Sequence, residues 1–565
     1  MLGPLITGLG IILAFLIWLD VILLLDKLGI LKKYNMSRIW FFALMWRTKK
    51  GRGLIEKISS AKKFWIGAAN FGFILFFTGM LLMFTMIALS AIITITSPLV
   101  QPVGAKEVLV LPGINPYVPF IYGIIGLIVA VVAHELSHGI IARAEGFKVK
   151  SLGLLFILIP VGAFMEPDEE EVERGPRKSR MRMFTAGPMS NFILAFLFIG
   201  IFSWGFMGSL EAQDNPVIIT DLAEDSTLHL ALDENPKAIY SIGEIEIHSY
   251  NDLYEIEGLE PGNWTYAELR LNGDRVYLPI QAGIVVSSVG DDTPAFEAGI
   301  REGSILYSLD GELLYNSELF QDLMKETVPD QFVNLTVLEP IFLPDNRTID
   351  LRVKAPEYLM DQLDTPIGIE YPEYVLRSYQ IRLSDKYDAI PLSQFKNKGY
   401  IGIASSYLGI AGLGSEEFLD SIAHPLSSGD GFREKFLNVL YITFRLPLEL
   451  SIMPFHDPLT EIYQVKGPLS ALPDGVFWFL ANTVFYIFWI NILLGLFNAL
   501  PMIPLDGGFV FRDAMVLILR RFFKDKKEEK LEAWAKKISK YASYTVLILI
   551  LTSLFFPWLR VLFLA

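Results

Sequence analysis

Two histidines and a glutamate stand together in His134-Glu135-Leu136-Ser137-His138. Residues four apart on a helix share one face, so both imidazoles can reach a single ion. Glu135 lies beside them, placed to accept a proton from water activated by that ion. The chain has six histidines in all, the others being His229, His248, His424 and His456. It has no cysteine, which excludes disulfides, thiolate zinc sites, iron–sulfur clusters and thiol proteases. A catalytic zinc site takes three protein ligands and keeps one position open. With cysteine absent and no third histidine in an apolar segment, the third ligand is expected to be a carboxylate. Asp20, Glu166 and Asp506 are the candidates.

Their surroundings separate them. Asp506 follows Asn498-Ala499-Leu500-Pro501-Met502-Ile503-Pro504-Leu505 and precedes Gly507-Gly508. Two prolines interrupt an apolar run there, and two glycines let the backbone turn. A broken helix at membrane depth is tolerated where it lines a cavity, which favours Asp506. Asp20 borders a basic loop and is expected to pair or snorkel. Glu166 leads into an acidic loop and reads as solvated. His456 sits beside Asp457 with no second ligand nearby in sequence and reads as a loop histidine.

The elements that must carry these residues are apolar. The 565 residues are 52% hydrophobic and 19% charged, with mean hydropathy +0.42. A soluble protein would have about 25% charged residues. Runs long enough to span a bilayer fall at 3–25, 66–97, 117–142, 184–207, 475–500 and 541–564. Ionisable residues inside such a run are costly and mark a functional site by default, and the third run contains the histidine pair. The segment 432–454 is broken by Arg445, Pro447 and Glu449 and reads as an interfacial amphipathic helix. The first run lacks a basic start and reads as an anchor, not a cleaved signal.

Charge sets the orientation. Loops 27–63, 143–183 and 512–540 are rich in Lys and Arg and share one side if there are six spans, which makes that side cytoplasmic. Residues 208–400 carry 35 acidic and 13 basic side chains, a balance of −22 against −14 for the whole chain, which leaves +8 for the rest. An acidic, extracytoplasmic block is thus inserted into a basic, hydrophobic frame. This charge balance argues against nucleic acid as a partner. Three Asn-X-Ser/Thr sequons, at Asn263, Asn334 and Asn346, agree with an external block, although a fourth stands at Asn35 in a loop expected to be cytoplasmic. Within the block, short alternating stretches such as Val217-Ile218-Ile219-Thr220 and Thr348-Ile349-Asp350-Leu351-Arg352-Val353 are separated by turn residues.

Two resemblances follow from these residues. The stretch Gly283-Ile284-Val285-Val286, then Thr293-Pro294-Ala295-Phe296-Glu297-Ala298-Gly299-Ile300, then Gly303-Ser304-Ile305 to Asp310-Gly311, resembles a PDZ domain. Ser304 departs from the Asp common there. A second, weaker copy starts near Val217. The histidine motif in one span with Asn-x-x-Pro-x-x-x-Leu-Asp-Gly in a later one resembles the site-2 protease family of intramembrane zinc metalloproteases. Gly187-Pro188-Met189-Ser190-Asn191 resembles that family's Gly-Pro-x-x-Asn element, and 152–166 resembles its membrane-embedded β-hairpin.

The resemblance implies one Zn2+ per chain held by His134, His138 and Asp506, with Glu135 as general base. It makes Asn498 a candidate to bind substrate backbone or a developing oxyanion, or else a polar contact between helices. Asn191 is a candidate for substrate binding or for packing.

The expected fold is a polytopic α-helical membrane protein of about six transmembrane helices with an inserted extracytoplasmic α+β region of PDZ-like domains. The expected divisions are two helices and a basic loop (1–115), the first part of the catalytic core (116–207) and a first PDZ-like domain (208–280). A second PDZ-like domain (281–390), a linker with the interfacial helix (391–470), the second part of the core (471–510), and a cytoplasmic loop with the last span (511–565) follow.

The expected function is cleavage of transmembrane segments of membrane proteins, with PDZ-like domains filtering substrates and binding peptides or chain termini. Cleavage requires the substrate helix to unwind, and the hairpin offers an edge for the unwound strand. Water is expected to reach the zinc from the cytoplasmic side. The alternative from another class is a non-proteolytic membrane adaptor that uses its PDZ domains to hold partners.

Overall fold

The computed structural model describes residues 2–39, 42–48, 52–96, 112–113, 115, 117–157, 159–223, 226–230, 238–271, 274–341, 373–386, 396–427, 431–445, 455 and 459–564. They form two compact units, Met1–Phe202 with Phe479–Ala565, and Ser203–Trp478.

The first unit is built from α1 (Leu2–Lys27), α2 (Lys62–Thr96), α3 (Phe120–Glu145), α4 (Arg177–Gly200), α5 (Asp474–Ala499), α6 (Asp506–Phe522) and α7 (Glu528–Leu564). Five of these, α2, α3, α4, α5 and α7, are long and apolar enough to cross a membrane, and α1 is a further helix of 26 residues. The chain is an integral membrane protein with a β-rich region. Side chains such as Phe71, Ile74 and Leu81 on α2 and Ile548 and Phe555 on α7 are exposed, which suits lipid as the surrounding solvent.

Small residues let the helices approach. A Cβ at Gly72 would lie 2.3 Å from Met189 Sδ, one at Gly79 2.6 Å from Phe192 Cζ, and one at Gly126 2.8 Å from the Tyr486 carbonyl oxygen. These positions bring α2 against α4 and α3 against α5, where van der Waals contact between backbones replaces the hydrophobic drive that lipid removes.

At the start of α4, three arginines tie helices together. Arg177 pairs with Glu528 at 2.6 Å and with Glu532. Arg180 grips Asp513 through two hydrogen bonds of 2.7 and 2.9 Å. Arg182 pairs with Glu145 at 2.8 Å. Residues 512–540, expected to be a loop, are largely helical: α6 runs to Phe522 and α7 begins at Glu528. Their basic residues decorate helix ends, where they also complement the macrodipole at the C-terminus of α6.

The basic segment 27–63, also expected to be a loop, supplies β1 (Met36–Ile39) and β2 (Ala43–Thr48). These join β3 (Val149–Ile157) and β4 (Ile159–Pro167) in an antiparallel sheet of order β1-β2-β3-β4. The hairpin expected at 152–166 is therefore half of a four-stranded sheet, with β4 on the outside. Val149 and Met165 pack with Ile141 and Ala142 of α3.

The second unit contains two sheets of the same construction. The first, in the order β8-β7-β6-β5-β14, uses β5 (Val217–Leu222), β6 (Ala238–Ile242), β7 (Trp264–Leu271), β8 (Asp274–Gln281) and β14 (Ile410–Gly414). The second, in the order β12-β11-β10-β9-β13, uses β9 (Ile284–Val289), β10 (Ile305–Leu309), β11 (Phe332–Ile341), β12 (Glu373–Arg382) and β13 (Ile403–Tyr407). Each sheet follows the sequence strand, short helix, strand, two-residue strand, helix, two strands. The last helices are Tyr250–Tyr254 and Ser317–Glu326. One continuous core, including Val217, Ile239, Leu269, Ile284, Leu306, Leu335 and Ile410, fills both.

The stretch 391–470 differs from a linker. It provides β13 and β14, which close the two sheets. Between them, Leu408 and Gly409 both take left-handed conformations (φ 54° and 71°), and the Gly409 N–H donates to the Ser406 carbonyl oxygen at 3.1 Å, which closes a tight turn. A Cβ at Gly409 would also lie 2.7 Å from Ala223 Cβ. Of the segment 432–454, expected to be an interfacial helix, Phe432–Leu440 is helical, continued by a wider turn over Tyr441–Arg445; 446–454 lies outside the described residues. So do His456, the sequon at Asn346 and the expected strand at 348–353. Asn263 is exposed at a turn and Asn334 lies on β11.

Candidate metal centre

The apolar helix α3 carries His134 and His138 one turn apart, both 6% exposed, with ring centroids 4.7 Å apart. α5 ends at Ala499, the chain turns through Pro501 and Pro504, and α6 starts at Asp506. The turn is tight: a Cβ at Gly507 would lie 2.2 Å from the Leu500 carbonyl oxygen, and one at Gly508 2.6 Å from Ile503 N. The broken helix thereby brings Asp506 to α3 from 372 residues away. Asp506 Oδ2 lies 3.1 Å from His134 Nε2 and 3.3 Å from His138 Nε2. One ligand atom from each residue falls within 4.8 Å of the others.

Each imidazole is fixed through its other nitrogen. His134 Nδ1 sits 3.0 Å from Asn191 Oδ1, and Asn191 Nδ2 donates to the Ala130 carbonyl oxygen at 3.4 Å. His138 Nδ1 lies 2.7 Å from the Met183 carbonyl oxygen. Both acceptors require a proton on Nδ1, which leaves Nε2 of each ring unprotonated and aimed at the shared point. This is the outer support that a ligating histidine needs. Asn191, fully buried, therefore acts on a histidine.

Space for an ion comes from Gly187 on α4. A Cβ there would lie 2.4 Å from His138 Nε2 and 2.5 Å from His134 Nε2, so the glycine leaves open the volume in front of both lone pairs. Two neutral imidazole nitrogens and a carboxylate oxygen, with a fourth side free, fit a divalent cation such as Zn2+.

Glu135 projects beside this group, and its Oε2 accepts the backbone N–H of Met165 on β4 at 2.7 Å. Asn498 is half-buried on the last turn of α5, and its Nδ2 donates to Leu494 of the same helix at 3.1 Å. The other two carboxylate candidates are not brought to the group. Asp20 is exposed on α1. Glu166 is hydrogen-bonded by Ser151 and lies 3.6 Å from Arg47.

Sequence reasoning named Asn191 for substrate binding or packing and missed two further contributors. Gly187 was visible within the same Gly-Pro-x-x-Asn element, but the space it leaves, like the histidine contact of Asn191, needs the packing of α4 on α3. The Met183 carbonyl has no sequence signal at all.

The sequence pattern described as peptidase family M50 matches residues 122–536. A protein of Methanocaldococcus jannaschii, described only as uncharacterized, is 32% identical over 255 residues, 44% of this chain. The match covers 64% of that relative's own length.

Proposed function

Because the chain belongs to peptidase family M50, the site-2 protease family, we propose that it is an intramembrane zinc endopeptidase that cuts transmembrane segments of membrane proteins. One observation carries the reading. Two Nε2 atoms and a carboxylate oxygen converge on the space left by Gly187, and a second carboxylate, Glu135, stands next to them in an apolar helix.

His134, His138 and Asp506 would hold one Zn2+. When bound, the ion acts as a Lewis acid on the scissile carbonyl and makes the attacking water more acidic. Glu135 takes the proton of that water and later hands it to the leaving amine. Asn191 and the Met183 carbonyl keep both imidazoles in the ligating tautomer. Asn498 is placed in this proposal to hydrogen-bond substrate backbone or the developing oxyanion. β4, an outer strand, offers its edge to a substrate segment that has unwound.

The two similar sheets of the second unit are read as tandem PDZ-like domains that filter substrates and take peptides or chain ends. The positive-charge bias of 27–63, 143–183 and 512–540 puts those segments and the opening to the zinc on the cytoplasmic side, and the acidic second unit outside.

The test is cleavage by the purified protein in detergent of a substrate with an unstable transmembrane helix. Cleavage should require one zinc per chain, stop with a chelator and stop in Glu135→Gln. Equal cleavage by Glu135→Gln would refute the role of the base. A zinc-free protein that cuts nothing and still binds ectodomain peptides would instead be an adaptor.

A further inference from the structure

Among the described residues, β4 has β3 on one side and no strand on the other. Its peptide groups alternate in direction, as in any antiparallel pair. The register with β3 shifts at Pro167–Glu166 and again at Val161; between these points Met165 stands opposite Leu152 and sends its N–H to a side chain of α3 instead of to β3. That N–H leaves the sheet on the open edge, where Glu135 Oε2 accepts it at 2.7 Å. Pro167, two residues on, has no N–H. Met165 is thus the last outward donor of the strand on the side of α3, and its side chain lies against that helix at Gly139, where a Cβ would be 3.3 Å from Met165 Cγ.

An outward edge N–H is the group that an added strand pairs with. Here the carboxylate of the general base stands where the carbonyl of an added strand would stand. Resting on the proteolytic reading above, we propose that the Met165 peptide N–H is a positioning group contested by Glu135 and by the substrate backbone. Without substrate it holds Glu135 at the strand edge. An unwound substrate segment that pairs with β4 takes the N–H with one of its carbonyls, and Glu135 is released to face the scissile bond. Substrate pairing and availability of the base are then one event, and the residue paired with Met165 lies next to the bond that is cut.

The experiment uses full-length, metal-free protein labelled with 15N-methionine in detergent, with the Met165 amide signal assigned through Met165→Leu. A carboxylate acceptor draws an amide proton downfield. The signal is expected to move upfield in Glu135→Ala, which has no acceptor, and to stay near its wild-type place in Glu135→Gln, whose amide oxygen still accepts. A valine-rich synthetic peptide added to Glu135→Ala should move it downfield again. The same peptide should bind Glu135→Ala about tenfold more tightly than Glu135→Gln, because a competing hydrogen bond has been removed. That difference should vanish when Met165→Pro is added to both variants.

An amide signal indifferent to Glu135→Ala, or equal peptide affinities for the Ala and Gln variants, overturns the proposal. The two readings fail separately. Zinc-loaded wild type that cuts membrane helices while the amide ignores Glu135 refutes only this inference. A responsive amide in a protein that cuts nothing refutes the proteolytic function and, with it, the release step.

Discussion

Replacing Gly187 by alanine tests the metal centre without touching a ligand. The added Cβ would stand 2.4 Å from His138 Nε2, 2.5 Å from His134 Nε2 and 2.6 Å from His134 Cε1. Ordinary contact between such atoms is about 3.5 Å, so each ring must retreat by about 1 Å. Neither is free to do so. His134 is held at Nδ1 by Asn191 at 3.0 Å and His138 by the Met183 carbonyl at 2.7 Å. Retreat breaks those bonds or swings Nε2 away from Asp506. Loss of one outer-shell partner typically lowers metal affinity about 10–100-fold. With both rings displaced and the open volume filled by a methyl group, zinc affinity is expected to fall by at least about 100-fold. The helix itself should not suffer, since alanine within a helix is favoured over glycine by about 0.5–1 kcal/mol. The assay is competitive zinc titration against a chromophoric chelator, with thermal unfolding of the metal-free protein as the control for folding. A folded Gly187→Ala protein with unchanged zinc affinity would refute the placement of the ion in front of this glycine.

Other perturbations bear on separate parts of the structure. Glu135→Gln should keep one zinc per chain while the rate of cleavage falls about 10²–10⁴-fold, the usual contribution of a general base; measured together, the two readouts distinguish loss of the base from loss of the metal. Asn191→Leu should weaken zinc about 10–100-fold by freeing the His134 ring, and titration on the folded protein would show it. Arg180→Ala leaves the carboxylate of Asp513, whose side chain is 3% exposed, buried without its partner. Breaking such a pair costs about 3–5 kcal/mol, read as a lower unfolding temperature in detergent. The double variant Arg180→Met with Asp513→Leu should recover most of the loss, and failure to recover would show that the pair does more than neutralise two buried charges.

The convergence of His134, His138 and Asp506 was legible because each sits in a local pattern with a physical meaning. The histidines share a helical face, and Asp506 follows prolines and precedes glycines that force the chain to turn. The hairpin from Leu152 to Glu166 was legible through the resemblance of that apolar stretch to the membrane-embedded hairpin of the site-2 protease family. Its partner strands were not. Met36–Ile39 and Ala43–Thr48 are short, and the lysines and arginines around them read more strongly as a charged loop. The same bias hid α6, whose Arg520 and Arg521 look like loop charges until Gly507, Val510 and Val516 are seen buried on one side. β13 and β14 lie in Ile-Gly-Ile-Ala-Ser-Ser-Tyr-Leu-Gly-Ile-Ala-Gly, where the glycines weaken any strand signal, and only pairing with β9 and β5 makes them strands. The orientation of Nδ1 on His138 depends on a main-chain oxygen, which every residue has, so no residue type could announce it.

The tight turn at Leu408-Gly409 has a consequence for how the second unit comes apart. One short length of chain supplies the outermost strand of both sheets, pairing Ile403–Tyr407 with β9 and Ile410–Gly414 with β5. The repeats are clasped like the two covers of a book by a single thread of binding. A nick or truncation ahead of Ile403 would strip a strand from each cover at once, so neither repeat can be cut out along its own stretch of sequence and remain whole.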